Sequence, residues 1–504
     1  MLIEPGPEEF ARLHDRGEAQ VLWTRLVADL ETPVSAMLKL SAGRANCFLL
    51  ESVEGGAVRG RYSMIGIEPD LIFRAFGGKA ELNTDPKSTA SRFEPMAESS
   101  LAALRKVIGE SQIALPPDLP PMSAGIFGYL AYDMVRQMEE LGPPNPDPLG
   151  LPDAILIRPT VIVIFDAVKD EVTIVTPVRP QAGQSASQAY ARAVDRLNAV
   201  IDALDTPLDK TAEPVEVSLE VPVVSNTPRE RFIRMVEIAK DYIAAGDIFQ
   251  VVLSQRFEAP FALPPFALYR ALRRTNPSPF LYFLDFGDFA IAGSSPEILV
   301  RVRDGEVTIR PIAGTKPRGE TPEADRRFAQ ELLADPKERA EHLMLLDLGR
   351  NDVGRVASIG TVRVTDQFFL EYYSHVMHIV SNVVGRLAPA HDVLDALAAG
   401  FPAGTVSGAP KVRAMEIIDE LEAEKRGIYA GCVGYFSASG AMDTCIVLRT
   451  SIVKDGRMYV QAGAGIVADS IPESEHEECV AKARALFRAA EEAVRFASNV
   501  GRGQ

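Results

Sequence analysis

Two stretches far apart in this chain carry the same mark, a pair of glutamates three residues apart in a helical pattern. The first is Asp335-Pro-Lys-Glu338-Arg-Ala-Glu341-His-Leu-Met-Leu-Leu-Asp-Leu-Gly-Arg350-Asn-Asp352. Asp335, Pro336 and Glu338 signal a helix start. Glu338 and Glu341 lie on the face that continues through Leu345 and Leu348. Such a face points inward, and buried carboxylates demand a cation or a hydrogen-bond network. The second stretch, Gln461 to Lys482, reads as a strand end, a glycine turn and a helix. Glu475, Glu478 and Lys482 follow at spacings of three and four, along one helix face. Gly463 and Gly465 let a ligand approach the backbone. Two such pairs face to face would seat a hard divalent cation, since Mg²⁺ takes one or two carboxylates plus an anionic substrate. By pattern alone, two solvated acidic turns explain the spacing equally well.

Around these stretches the chain reads as strands and hairpins with intervening helices. Residues 7–30 read as helix, with Phe10, Leu13, Leu22, Leu26 and Leu30 on an apolar stripe. Cys47–Ser52, Arg61–Gly66, Thr160–Phe165 and Glu171–Thr176 read as strands, and Ala186–Leu204 as an amphipathic helix. Gly125 and Gly128 suggest close backbone packing in an apolar strand. Thr227-Pro-Arg-Glu230 reads as a capping box opening a helix that Gly246 stops. Ile248–Phe257, the pair Phe280–Phe286 and Phe289–Gly293, the hairpin around Asp304-Gly305, Tyr429–Phe436, Cys445–Val453 and Met458–Ala462 are further strands. Hairpins outnumber βαβ patterns. The fold class is therefore α+β, with large, mostly antiparallel sheets and flanking helices. Prolines recur through residues 206–226, which read as a linker between regions 1–205 and 227–495.

With 504 residues and 47% hydrophobic composition, the chain can bury a large core. A net charge of −16 argues against a nucleic-acid partner and requires a local basic site for any anionic substrate. Four cysteines without a CxxC pair indicate a reducing compartment and no zinc site. No apolar run is long enough for a membrane span, and the expected location is the cytoplasm.

Three further motifs can hold an anion or a proton. Arg310-Pro-Ile-Ala-Gly-Thr-Lys-Pro-Arg-Gly319 offers a Gly-Thr step at a strand end, or is an ordinary loop. Phe401-Pro-Ala-Gly-Thr-Val-Ser-Gly-Ala-Pro-Lys-Val-Arg413 is a glycine-rich loop opening a helix, whose N-terminus suits an anion or merely a cap. His375 and His378 fall on opposite faces of a strand, so at most one serves a site. His378, next to the apolar run, is the better candidate.

Pro-Ile-Ala-Gly-Thr315, Glu341-His-Leu-Met-Leu-Leu-Asp-Leu-Gly-Arg-Asn-Asp352, Phe401–Lys411 and Gln461-Ala-Gly-Ala-Gly-Ile-Val467 together resemble the motifs of the chorismate-utilising enzymes, in the right order. The N-terminal Leu-Leu-Glu-Ser52 resembles the tryptophan-sensing half of the anthranilate-forming branch. The resemblance implies Mg²⁺ held by Glu341 and Glu478, with Glu338 and Glu475 behind them or linked through water. It implies substrate contacts at Gly314, Thr315, Tyr429, Arg449, the Gly463-Ala464-Gly465 backbone and Lys482. Glu297 resembles the acid that protonates the departing ring hydroxyl, His378 a histidine involved in losing pyruvate, and Thr405 a residue beside the ring. Ser52, Pro279, Phe280 and Leu281 resemble the pocket for tryptophan as inhibitor, although Phe280 and Leu281 also suit core packing.

Relatives that add water carry a lysine where Gln250 stands, and those that aminate the other ring position carry one where Ala313 stands. Gln250 and Ala313 therefore favour ammonia addition beside the ring carboxylate of chorismate, then loss of pyruvate to give anthranilate. No amidotransferase region is evident, so ammonia would come from a separate glutamine amidotransferase subunit, component II. An aminodeoxychorismate-forming subunit and a non-catalytic tryptophan-binding protein remain the alternatives.

Overall fold

Alternation along the strand Cys47–Glu54 sets the layering of the molecule. In the computed structural model, Phe48 and Leu50 enter an inner apolar layer with Phe127, Tyr282 and Tyr435. Cys47 and Leu49 point the other way, into a core completed by the helical residues Ala193, Leu272 and Leu486. Two stretches of sheet thus face each other across the inner layer, and helices cover their outer faces. Phe48 stacks on Phe127 with centroids 4.6 Å apart. Burial of these two rings stabilises the junction by about 1.5–3 kcal/mol each.

The structure describes residues 2–27, 29–54, 58–88, 90–208, 222–373 and 376–497. Within them 23 strands form one hydrogen-bonded sheet and eleven α-helices pack on it. Each of its ladders is antiparallel among the described residues, as the hairpin pattern predicts. The N-terminal and C-terminal regions share this sheet. Cys47–Glu54 pairs with Phe280–Asp285, and Gly125–Leu130 with Cys432–Ser437. Residues 209–221 of the expected linker, and His375, lie outside the described residues. Gly128 allows close strand approach as expected, since a Cβ there would collide with the Ile155 carbonyl.

Several elements differ from the sequence reading. The helix expected over residues 7–30 ends at His14, and Gln20–Val27 is a strand. Gly17, at φ +75°, turns the chain, and Val21 and Trp23 alternate with Leu22 between two cores. Pairing with Glu171–Val178 overrides the helical spacing. Thr227 forms no capping box. Pro228 is the N-cap, and the Thr227 hydroxyl donates to Asn226 Oδ1 instead. The glycines at 463 and 465 form no turn, because the strand Arg457–Ile466 runs through both. The strand expected over Cys445–Val453 breaks between Ile446 and Thr450, where Arg449 takes φ +47°. Tyr429 precedes its strand, which begins at Cys432.

Candidate active site

The two acidic helices come within electrostatic range of each other, since the Glu478 charge acts on Glu341. Asp335 caps the helix Pro336–Gly354, accepting from the Lys337 and Glu338 N–H groups at 2.9 and 3.3 Å. The cap aims Glu338 and Glu341 at the sheet. Glu341 is pushed up from the usual carboxylate range chiefly by burial; the Lys337 charge and Gln250 amide oppose this, and the Glu478 charge adds to it. Glu338 and Glu475 are raised by burial and by their neighbours Glu341 and Glu478 respectively. Glu478 is half exposed, paired with Lys482 Nζ at 2.7 Å, and Lys482 also donates to the Gly463 carbonyl at 2.8 Å. Residues Glu341 and Glu478, from helices far apart in sequence, therefore share one site.

No ready-made cluster of three or more metal-ligating side chains occurs among the described residues. The donor set of two facing carboxylates nevertheless suits Mg²⁺, which completes its octahedron with water and an anionic substrate.

The floor of the site is backbone. Gly465 lies beneath Gln250, whose Nε2 is 2.6 Å from where a Cβ would stand. At Gly463 a Cβ would come within 2.8 Å of the Tyr429 hydroxyl, and at Gly314 within 3.0 Å of Glu338 Oε2. Any side chain at these positions would press on those protein groups, so the glycines let Gln250, Tyr429 and Glu338 pack directly against the backbone. Ala464 turns its methyl into the core, so only its backbone is available.

Gly314, at φ +77° in a bulge, lies between Glu338 and His378. Its carbonyl lies 3.0 Å from His378 Nδ1, and Thr315 Oγ1 is 3.0 Å from the same nitrogen. A carbonyl only accepts, so Nδ1 carries the proton and Nε2 is left as the basic nitrogen. Burial lowers His378 to about 4, which keeps it neutral near pH 7. Arg449 adds its charge to the same effect. No side chain among the described residues forms a salt bridge with Arg449, so the structural ion pair that its strand position allows is not made. A half-buried guanidinium without a counter-charge is a place for a substrate carboxylate. Tyr373, missed by the sequence reading, packs against His378 at 5.3 Å. Its adjacency to the His378 strand was the available signal.

Glu297 is 6% exposed, and burial raises it to about 8. The Ile312 N–H and the Thr405 hydroxyl oppose that rise without reversing it. The Thr405 hydroxyl lies against Glu297 yet completes no hydrogen bond. A carboxyl held protonated at neutral pH is a competent general acid.

Ser52, Pro279, Phe280 and Leu281 line one cavity of about 930 Å³ that reaches Tyr373 and Ile312, close to His378 and Glu297. Ser52 pairs across the sheet with Phe280, which is how distant sequence segments come together there. Among the described residues no helix is long and apolar enough to cross a membrane.

Comparison with known proteins shows the family of the chain. The model of the family "chorismate binding enzyme" matches residues 45–488. Anthranilate synthase component 1 of Cereibacter sphaeroides is 58% identical over 98% of this chain and 99% of the relative. The protein of that name from Pseudomonas aeruginosa is 47% identical over 96% of this chain and 98% of its own length. The crystal structure of anthranilate synthase component I from Streptococcus pneumoniae superposes with a TM-score of 0.76 at 41% identity, covering 86% of this chain and 93% of that one. The menaquinone-specific isochorismate synthase of Escherichia coli shares the fold, with a TM-score of 0.70 at 20% identity over 96% and 98% of the two chains. By family match and by near full-length similarity, the chain belongs to the chorismate-binding enzymes.

Proposed function

We propose that this enzyme is the chorismate-converting subunit of an anthranilate synthase, adding ammonia to chorismate and releasing pyruvate. The observation that carries this reading is Gln250. Its amide lies beside Glu341, and its Oε1 is buried without a partner. An unsatisfied buried acceptor is costly unless a ligand completes it. Oε1 can receive an N–H of ammonia, whereas a glutamine cannot deprotonate water.

Arg449 and the Gly463–Gly465 backbone orient the two carboxylates of chorismate. Glu341 and Glu478 would hold Mg²⁺ against the ring carboxylate, where the ion withdraws electron density from the ring. Ammonia enters beside Gln250, and its lone pair forms the new C–N bond next to the ring carboxylate. Both conjugated ring double bonds shift, the distal C–O bond breaks, the Glu297 carboxyl gives its proton to the departing oxygen so that water leaves, and the new ammonium group releases a proton to solvent. His378 Nε2 then takes the proton from the carbon bearing the amine. The enolpyruvyl C–O bond breaks as the ring becomes aromatic, and the released enol tautomerises to pyruvate.

Ammonia is supplied by a separate glutamine amidotransferase subunit, and tryptophan binds the cavity at Ser52, Pro279, Phe280 and Leu281 as inhibitor. Four buried free cysteines suit a reducing cytoplasm. Chromatography of products from chorismate and ammonium tests the reading. Anthranilate with equimolar pyruvate supports it, and isochorismate or 4-amino-4-deoxychorismate as the product refutes it.

A further inference from the structure

Glu297 gives up a proton in every turnover and must recover it before the next. Glu297 also borders a space shared with the helix Pro336–Gly354 and the loop after the helix Val393–Gly400. That space is a cavity of about 30 Å³, lined by Glu297, Thr405 and Asp352 together with Leu348, Gly349 and Gly404. One water needs roughly 10–15 Å³ of such space and two to four polar partners. Glu297, Asp352 and the partnerless Thr405 Oγ1 supply those partners. Asp352 is held by Lys411 Nζ at 3.0 and 3.1 Å. Both side chains of that pair are 9% exposed, which leaves Lys411 a narrow contact with solvent.

We propose that water in this cavity returns the proton to Glu297, drawn from solvent through the Lys411–Asp352 pair. Lys411 passes a proton to Asp352, Asp352 passes one to the cavity water, and that water protonates the Glu297 carboxylate. Lys411 then regains its proton from solvent, so no charge accumulates. The other ionisable groups facing the path are Tyr373 at Glu297 and Arg355 at Asp352. The inference rests on Glu297 being the general acid, and it adds a dedicated supply route through the cavity that Glu297 shares with Asp352.

Two variants and a control test it in the ammonium-dependent reaction of the full chain. A Cβ at Gly349 would meet Ile309 and Pro311, which line the same cavity, at 3.6 and 3.9 Å. Gly349→Ala therefore places a methyl group at the cavity wall at ordinary contact distance, inside a helix where alanine is favoured. Asp352→Asn removes the relaying carboxyl. Both are expected to keep the KM for chorismate, to lower kcat by about tenfold or more but by no more than the roughly 10²–10⁴ that general acid catalysis contributes, and to raise the solvent deuterium isotope effect on kcat. Should Asp352→Asn fail to fold, Gly349→Ala alone decides the question. An unchanged kcat in Gly349→Ala, or a lowered kcat with an unchanged isotope effect, overturns the relay. Glu297→Gln separates the two claims. Full activity in that variant overturns the general-acid reading and the relay together, whereas its inactivity beside an unaffected Gly349→Ala overturns only the relay.

Discussion

In the proposed mechanism two buried ionisable groups divide the proton work, and their environments set opposite protonation states. Glu297 must be protonated to act, and its proton is lost as pH rises through about 8. His378 must be neutral, and it becomes charged as pH falls through about 4. The expected profile of kcat is a plateau that falls on the alkaline side near pH 8, with an acid limb near pH 4. Glu297→Gln should remove the alkaline limb and lower kcat by about 10²–10⁴ while chorismate still binds. A steady-state pH series with both proteins checks this. Gln250→Lys should replace an N–H acceptor by a base and shift the product from anthranilate towards isochorismate, as product chromatography would show. Both roles were legible in the sequence only through motif resemblance. Composition and spacing do not reveal that Glu297 is desolvated or that Gln250 Oε1 is orphaned, because both facts depend on neighbours brought in by other elements.

At the scale of elements, the site is held by a buried ion pair that spacing alone does not expose. Arg426 donates to both oxygens of Glu422, at 2.6 and 3.0 Å, and to the carbonyls of Val406 and Val252 at 2.6 Å each. One guanidinium thus ties the Thr405 loop to the strand that carries Gln250. Glu422 also accepts from the Ser254 N–H at 2.8 Å. Glu422→Ala leaves Arg426 buried without its counter-charge, and is expected to cost about 3–5 kcal/mol in denaturant unfolding. The periodic signals were read correctly at the Asp335 cap and the helix it opens. They misled at Gln20–Val27, where apolar residues at helical spacing also alternate, and tertiary pairing decides. The break at Arg449 was hidden because its left-handed backbone is not a glycine's.

Across the whole molecule, one sheet joins the cavity at Ser52 to the metal side of the site. The cavity that Ser52 lines also includes Tyr373 and Ile312, which lie near His378 and Glu297. Ser52→Ala should raise the tryptophan concentration needed for half-inhibition without altering uninhibited kcat, measured by anthranilate fluorescence. The isolated chain should use ammonium and leave glutamine untouched, with glutamine use appearing only when an amidotransferase subunit is added.

The meeting of two remote helices over one cation seat is tested most directly by anthranilate formation from chorismate and ammonium after EDTA treatment, titrated with Mg²⁺ for the native chain and for Glu341→Gln. The expected result is activity restored by Mg²⁺ in the native chain and absent at every Mg²⁺ concentration in a folded Glu341→Gln variant. Full activity in EDTA, or a near-normal rate from Glu341→Gln, would contradict it.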